Sequence, residues 1–188
     1  MSEKLNVRVI GDKSLRKVAE PVEEITPEIK QIVSDMKETM YARDGIGLAA
    51  PQIGIGKRIF VVDIQWYKEG NSQKPIVCIN PEFIEFIGED TAEEGCLSLP
   101  GIFEKVTRAE QVVMEALNEK NEKFKLEADG MFARALQHEY DHLEGILFVD
   151  KVPKMKRIFI GRAIRELERQ TDEKGVNLLS ENMLHNET

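Results

Sequence analysis

The stretch Gln137-His138-Glu139-Tyr140-Asp141-His142 restricts this chain more than any other. It holds two of only 3 histidines, four positions apart, with a glutamate directly after the first. On a helix, positions i and i+4 lie one turn apart on the same face. His138 and His142 could then offer two imidazoles to one metal ion. Glu139, one step round, would stand beside that ion as a general base for bound water. The flanks read as helix. Phe132, Ala135, Leu136, Glu139 and Leu143 recur near a 3.6-residue period, Asp129 suits an N-cap, and Gly145 suits a stop just past the C-terminus. The fold must therefore bring at least one more ligand to a helix that carries polar groups inward.

Two cysteines compete for that role. Cys96 lies in Gly95-Cys96-Leu97-Ser98, with no bulky neighbour on its N-terminal side. A metal would deprotonate its thiol on binding. Cys78 lies in the apolar run Pro75 to Asn80 and reads as core packing. If both bound, the result would be a closed Cys2His2 site, structural in kind. If Cys96 alone joins the histidines, one position stays open for water, and Glu139 favours that reading. A zincin-type metallopeptidase is a third reading, with Glu166 as the downstream acidic ligand.

At 188 residues the chain suits a single domain, 1–188, with 171–188 expected to fray. Thr26-Pro27 marks a helix start, and Ile29, Ile32, Val33, Met36 and Met40 form its apolar stripe up to a stop near Asp44-Gly45. Gly45 to Gly54 is too small and glycine-rich for a helix or regular strand. Arg58 to Ile64 reads as a buried strand and Tyr67 to Lys74 as a polar turn. Pro75 to Asn80 and Glu82 to Ile87 read as two strands split by Pro81, and Val106 to Leu117 and Lys123 to Glu127 as two more. Pro153 opens a last helix through Ile158, Ile160, Ile164 and Leu167. The expected class is α+β: antiparallel or mixed sheets packed around a central metal-binding helix, with a C-terminal helix.

The net charge of −8 argues against wholesale DNA or RNA binding. Lys151 to Arg169 runs the other way, at +5, and could dock on ribosomal RNA through phosphate contacts. No apolar run is long enough to span a bilayer, and Met1 to Arg8 has no secretory apolar region, so a reducing cytoplasm is expected and no membrane partner.

Three stretches together carry a resemblance: Gly45-Ile46-Gly47-Leu48-Ala49-Ala50-Pro51-Gln52, Glu94-Gly95-Cys96-Leu97-Ser98 and Gln137-His138-Glu139-Tyr140-Asp141-His142-Leu143. In this order they resemble the signatures of peptide deformylases, and the helix-like C-terminal segment with the uninterrupted middle looks more like the Gram-negative-type subgroup. The resemblance implies a bacterial cytoplasmic enzyme that removes the N-formyl group from the initiator methionine of nascent polypeptides, releasing formate. It implies Cys96, His138 and His142 as ligands, with water as the fourth. Fe2+ is the implied native metal, with Zn2+, Ni2+ or Co2+ as substitutes. Glu139 becomes general base and then acid, and the Gln52 amide and Leu97 backbone N–H become donors to the formyl oxygen. The peptide is expected to lie extended along the Gly45 to Gly47 edge. Gly47 and Gly95 would border it, and Ile46 and Ala135 would line the methionine pocket.

Overall fold

The structure is a computed structural model that describes residues 4–68 and 73–184. Helix α1 (Pro27–Ala42) begins as its cap requires: Thr26 Oγ1 accepts the Ile29 N–H at 3.3 Å, and Pro27 takes the first helical position. Among the described residues seven strands follow: β1 (Gly47–Ala49), β2 (Ile59–Val62), β3 (Ile76–Ile87), β4 (Asp90–Cys96), β5 (Leu99–Arg108), β6 (Gln111–Leu117) and β7 (Lys123–Asp129). Helix α2 (Gly130–Leu143) comes next, then the short α3 (Phe148–Lys151), α4 (Lys154–Glu168) and the short α5 (Glu181–Leu184). The class is α+β. One antiparallel sheet has the order β1-β2-β3-β6-β7, and β4 and β5 pair apart from it as an antiparallel hairpin.

Strand β2 is buried on both faces because helices cover both. Ile59 and Val61 pack with Val77, Ile79 and the α1 residues Val33, Met36 and Met40. Phe60 and Val62 pack with Cys78 and the α2 residues Ala133, Leu136 and Leu143. That alternation explains why the strand reads as an unbroken apolar run. It also places Cys78 in the core, where burial pushes its thiol pKa up.

Several boundaries differ from expectation. Gly45 to Gly54 is not featureless: it forms β1 and then a 3-10 turn, Ala50–Ile53. Pro81 does not split a strand. β3 runs through it on a register shift, with Asn80 at φ 49°, a bulge that needs no N–H from the proline. Val106 to Leu117 is two strands in two sheets. Gln137 takes both backbone groups of Ala109, accepting its N–H at 3.1 Å and donating to its C=O at 2.9 Å, so Ala109 cannot extend a ladder. The turn expected over 67–74 lies partly outside the described residues.

The segment after α4 is held, contrary to the expected fraying from Thr171. Asn177 Nδ2 donates to the Ile10 and Leu167 carbonyls, both at 2.8 Å, and Leu179 N–H donates to the Val7 carbonyl at 2.8 Å. Leu179 and Met183 are buried. Anchoring by single residues leaves no periodic stripe in the sequence. Residues 185–188 lie outside the described residues. Helix α4 also differs: of its expected stripe only Leu167 is fully buried, Ile160 and Ile164 pack partly, and Ile158 faces outward.

Candidate metal centre

Cys96 arrives on the turn of the β4–β5 hairpin, and His138 and His142 on one face of α2. Their ligand atoms all lie within 4.8 Å of one another, and Cys96 Sγ stands 3.3 Å from His142 Nε2. This is the close donor set that a tetrahedral site needs. Neither rival ligand takes part. Cys78 is in the core, and Glu166 pairs with Arg169 on the exposed face of α4.

Glu94 fixes the His138 ring. One carboxylate oxygen accepts from Arg108 Nε at 2.5 Å and Arg134 Nη1 at 2.7 Å; the other accepts from Arg108 Nη2 at 2.8 Å and His138 Nδ1 at 3.0 Å. Burial works against its charge, but the hydrogen bonds from Arg108 and His138 prevail and hold its carboxyl well below the usual range. With Nδ1 donating to Glu94, the Nε2 lone pair of His138 is left for a metal. Arg108 also donates to Asp141 at 2.7 Å, and Arg134 to the Val106 and Asp90 carbonyls at 2.8 and 2.9 Å. Arg134 and Asp141 were legible in principle as charges on the inward face of α2.

Glu139 is buried, and burial pushes its carboxyl up to about 7. Its Oε2 has no hydrogen-bond partner among the described residues. A buried carboxylate oxygen without a donor is costly, so the site suits a water or hydroxyl brought by a bound metal. The other oxygen leans on Gly47, where an added Cβ would fall 2.3 Å from Glu139 Oε1. Gln52 is oriented from behind. Its Oε1 accepts the Ala49 N–H at 2.8 Å, which turns the NH2 group toward Cys96 Sγ at 3.4 Å and Ser98 Oγ at 3.2 Å. That bond settles which way the amide points.

A cleft of about 500 Å³ opens over these groups. Ile46, Gly47, Gln52, Gly95, Cys96, Leu97, Ala135, His138 and Glu139 line it, so the predicted residues converge, with His142 just behind. Further walls come from Met131, Arg134, Phe103 and Met183. The β1 border is rigidly held. Trp66 Nε1 donates to the Gly45 carbonyl at 2.9 Å, and Asp63 N–H donates to the Ile46 carbonyl at 2.9 Å. Because Ile46 pairs with β2, alternation turns the backbone groups of the next residue, Gly47, toward the cleft.

The sequence profile of the polypeptide deformylase family matches residues 4–158. The chain belongs to the polypeptide deformylase family. It is 48% identical over 167 residues to a peptide deformylase of Neisseria gonorrhoeae, covering 89% of this chain and 98% of that one. It is 50% identical over 149 residues to one of Clostridium botulinum, covering 79% and 97%. The fold resembles the crystal structure of a Legionella pneumophila peptide deformylase, with TM-score 0.81, 40% identity and coverage of 88% and 96%. It also resembles a Synechococcus elongatus peptide deformylase in complex with actinonin, with TM-score 0.80, 38% identity and coverage of 94% and 96%. Deformylases are metal-dependent, and the three-ligand group built here fits that chemistry.

Proposed function

We propose that this deformylase hydrolyses the N-terminal formamide of formyl-methionyl nascent polypeptides, yielding formate and a free amino terminus. The observation that carries the reading is the unpartnered Glu139 Oε2 in the cleft beside the Cys96, His138 and His142 group. Cys96, His138 and His142 would hold a divalent metal, which would supply the acidity that lets water attack at neutral pH. Glu139 takes the proton from the attacking water. It returns a proton to the methionine nitrogen as the C–N bond breaks. The Gln52 NH2 and the Leu97 N–H donate to the carbonyl oxygen as it gains charge, and the Ala49 bond holds Gln52 ready for this. We assign Fe2+ as the native metal, with Zn2+, Ni2+ or Co2+ as substitutes, and the bacterial cytoplasm as the location.

The peptide lies extended along Gly47, pairing main chain to main chain, with Gly95 on the far side and the methionine side chain between Ile46 and Ala135. Main-chain pairing tolerates varied sequences, as a substrate class of nascent chains demands. The test is formate release from a formyl-methionyl tripeptide under anaerobic conditions, with metal content measured. Gly47→Ala should fold and hold its metal, yet lose about 10²-fold or more in kcat/KM, because its methyl displaces Glu139. Wild-type rates in Gly47→Ala would remove Gly47 from the site, and a folded, metal-loaded wild type that releases no formate would refute the function.

Helix α4 supports a ribosome contact. Its outer side carries Lys154, Lys156 and Arg157 beside Met155, Ile158 and Phe159, the last 83% exposed. Lys154→Ala/Lys156→Ala/Arg157→Ala should weaken co-sedimentation with ribosomes and flatten its salt dependence, leaving tripeptide turnover intact. Unchanged sedimentation would remove the contact.

A further inference from the structure

The segment beyond α4 reaches the substrate cleft. Met183, on α5, is 5% exposed and packs with Leu99, Ile102 and Leu179. It also lines the cleft together with Leu99, Pro100 and Gly101 of β5. It lies outside the residues that match the family profile, 4–158. Its position is built rather than incidental. Asn177 N–H donates to Asp12 Oδ2 at 3.1 Å, its side chain ties Ile10 to Leu167, and Val9 N–H donates to the Asn177 carbonyl at 2.9 Å. The chain then bridges Leu178 to Arg8 and turns Met183 inward.

We infer that Met183 is a specificity-determining residue for the side chains that follow the formyl-methionine. The inference rests on the peptide orientation proposed above. With the formamide at the metal ligands and the methionine between Ile46 and Ala135, the Leu99–Gly101 wall is left for the peptide's next residues. The cleft volume, about 500 Å³, lies in the range of pockets for drug-sized ligands and exceeds what one residue needs. Met183 gives that wall an apolar, unbranched and polarizable surface that adapts to varied aliphatic partners. It therefore favours apolar over small polar side chains there. Gly47 main-chain pairing sets general affinity, and Met183 ranks the sequences.

The test compares kcat/KM for formyl-Met-Ala-Ser, formyl-Met-Ala-Leu and formyl-Met-Leu-Ser. Wild type should prefer at least one leucine peptide. Met183→Ala should cut that preference by about tenfold through KM, with metal content unchanged and a smaller loss on formyl-Met-Ala-Ser than on the leucine peptides. Asn177→Ala, which frees the segment without touching the cleft, should produce the same loss of preference. A leucine-to-serine ratio unchanged in both variants overturns the inference, as does an equal loss on all three peptides. Should Met183→Ala fail to fold, Asn177→Ala decides alone by the same ratio. A metal-loaded wild type that hydrolyses none of the peptides fails the functional reading itself, which separates the two failures.

Discussion

Glu139→Gln is expected to end formate release while metal content stays at the wild-type level. The substitution keeps the side chain's shape and its contact with Gly47. It removes the carboxylate proposed to accept a proton from water and pass it on. General acid–base groups typically contribute about 10²–10⁴ in rate, and one residue is proposed for both transfers, so kcat should fall by at least the upper part of that range. KM should change little, because the proposed backbone pairing and methionine pocket do not involve Glu139. Metal content should match wild type, since Cys96, His138 and His142 form the ligand group without Glu139. The measurement is single-turnover formate release paired with elemental analysis. Full activity in the variant would strip Glu139 of its role. Loss of the metal along with activity would make it a structural residue.

The second large effect is on stability. Arg108 sits under the site with Glu94 and Asp141 as partners, and all three are buried. Arg108→Ala removes the cation shared by Glu94 and Asp141, leaving Glu94 with Arg134 and His138 and Asp141 with Lys151. Breaking a buried pair from one side costs about 3–5 kcal/mol. For a chain of this size that corresponds to a fall in Tm of roughly 6–20 °C. Lys125→Ala, at the exposed Lys125–Glu127 pair, should cost no more than about 1 kcal/mol. Calorimetry of the metal-loaded variants checks both. Equal losses in the two would show that the network beneath the histidines adds nothing beyond surface charge.

The contrast between these residues explains what the sequence could and could not disclose. The two main helices were legible because each combines a cap with a periodic stripe: Thr26-Pro27 with Val33, Met36 and Met40, and Asp129 with Ala135, Leu136 and Leu143. Cys96 was legible through its glycine neighbour and its chemistry. Strand β4 was not. Asp90 to Cys96 shows no apolar alternation because its inward anchor is Glu94, stabilised by two arginines from elsewhere in the chain. The break at Ala109 was hidden for a similar reason, since only the Gln137 side chain marks it. The docking of Asn177 depends on partners up to 167 positions away. Local pattern reports burial of hydrocarbon well, and it is silent where distant polar groups satisfy one another.

The division of the ligands between two units has a thermodynamic side. Cys96 belongs to the hairpin, which shares no ladder with the five-stranded sheet, and the histidines belong to α2, with Cys96 and His142 46 positions apart. A metal gripped by both closes that span of chain much as a covalent staple would, and only the folded state can grip it so. Folding and metal uptake are then one linked equilibrium: each tenfold rise in free metal above the dissociation constant adds about 1.4 kcal/mol to stability. The stability of the fold would thereby be tied to metal supply.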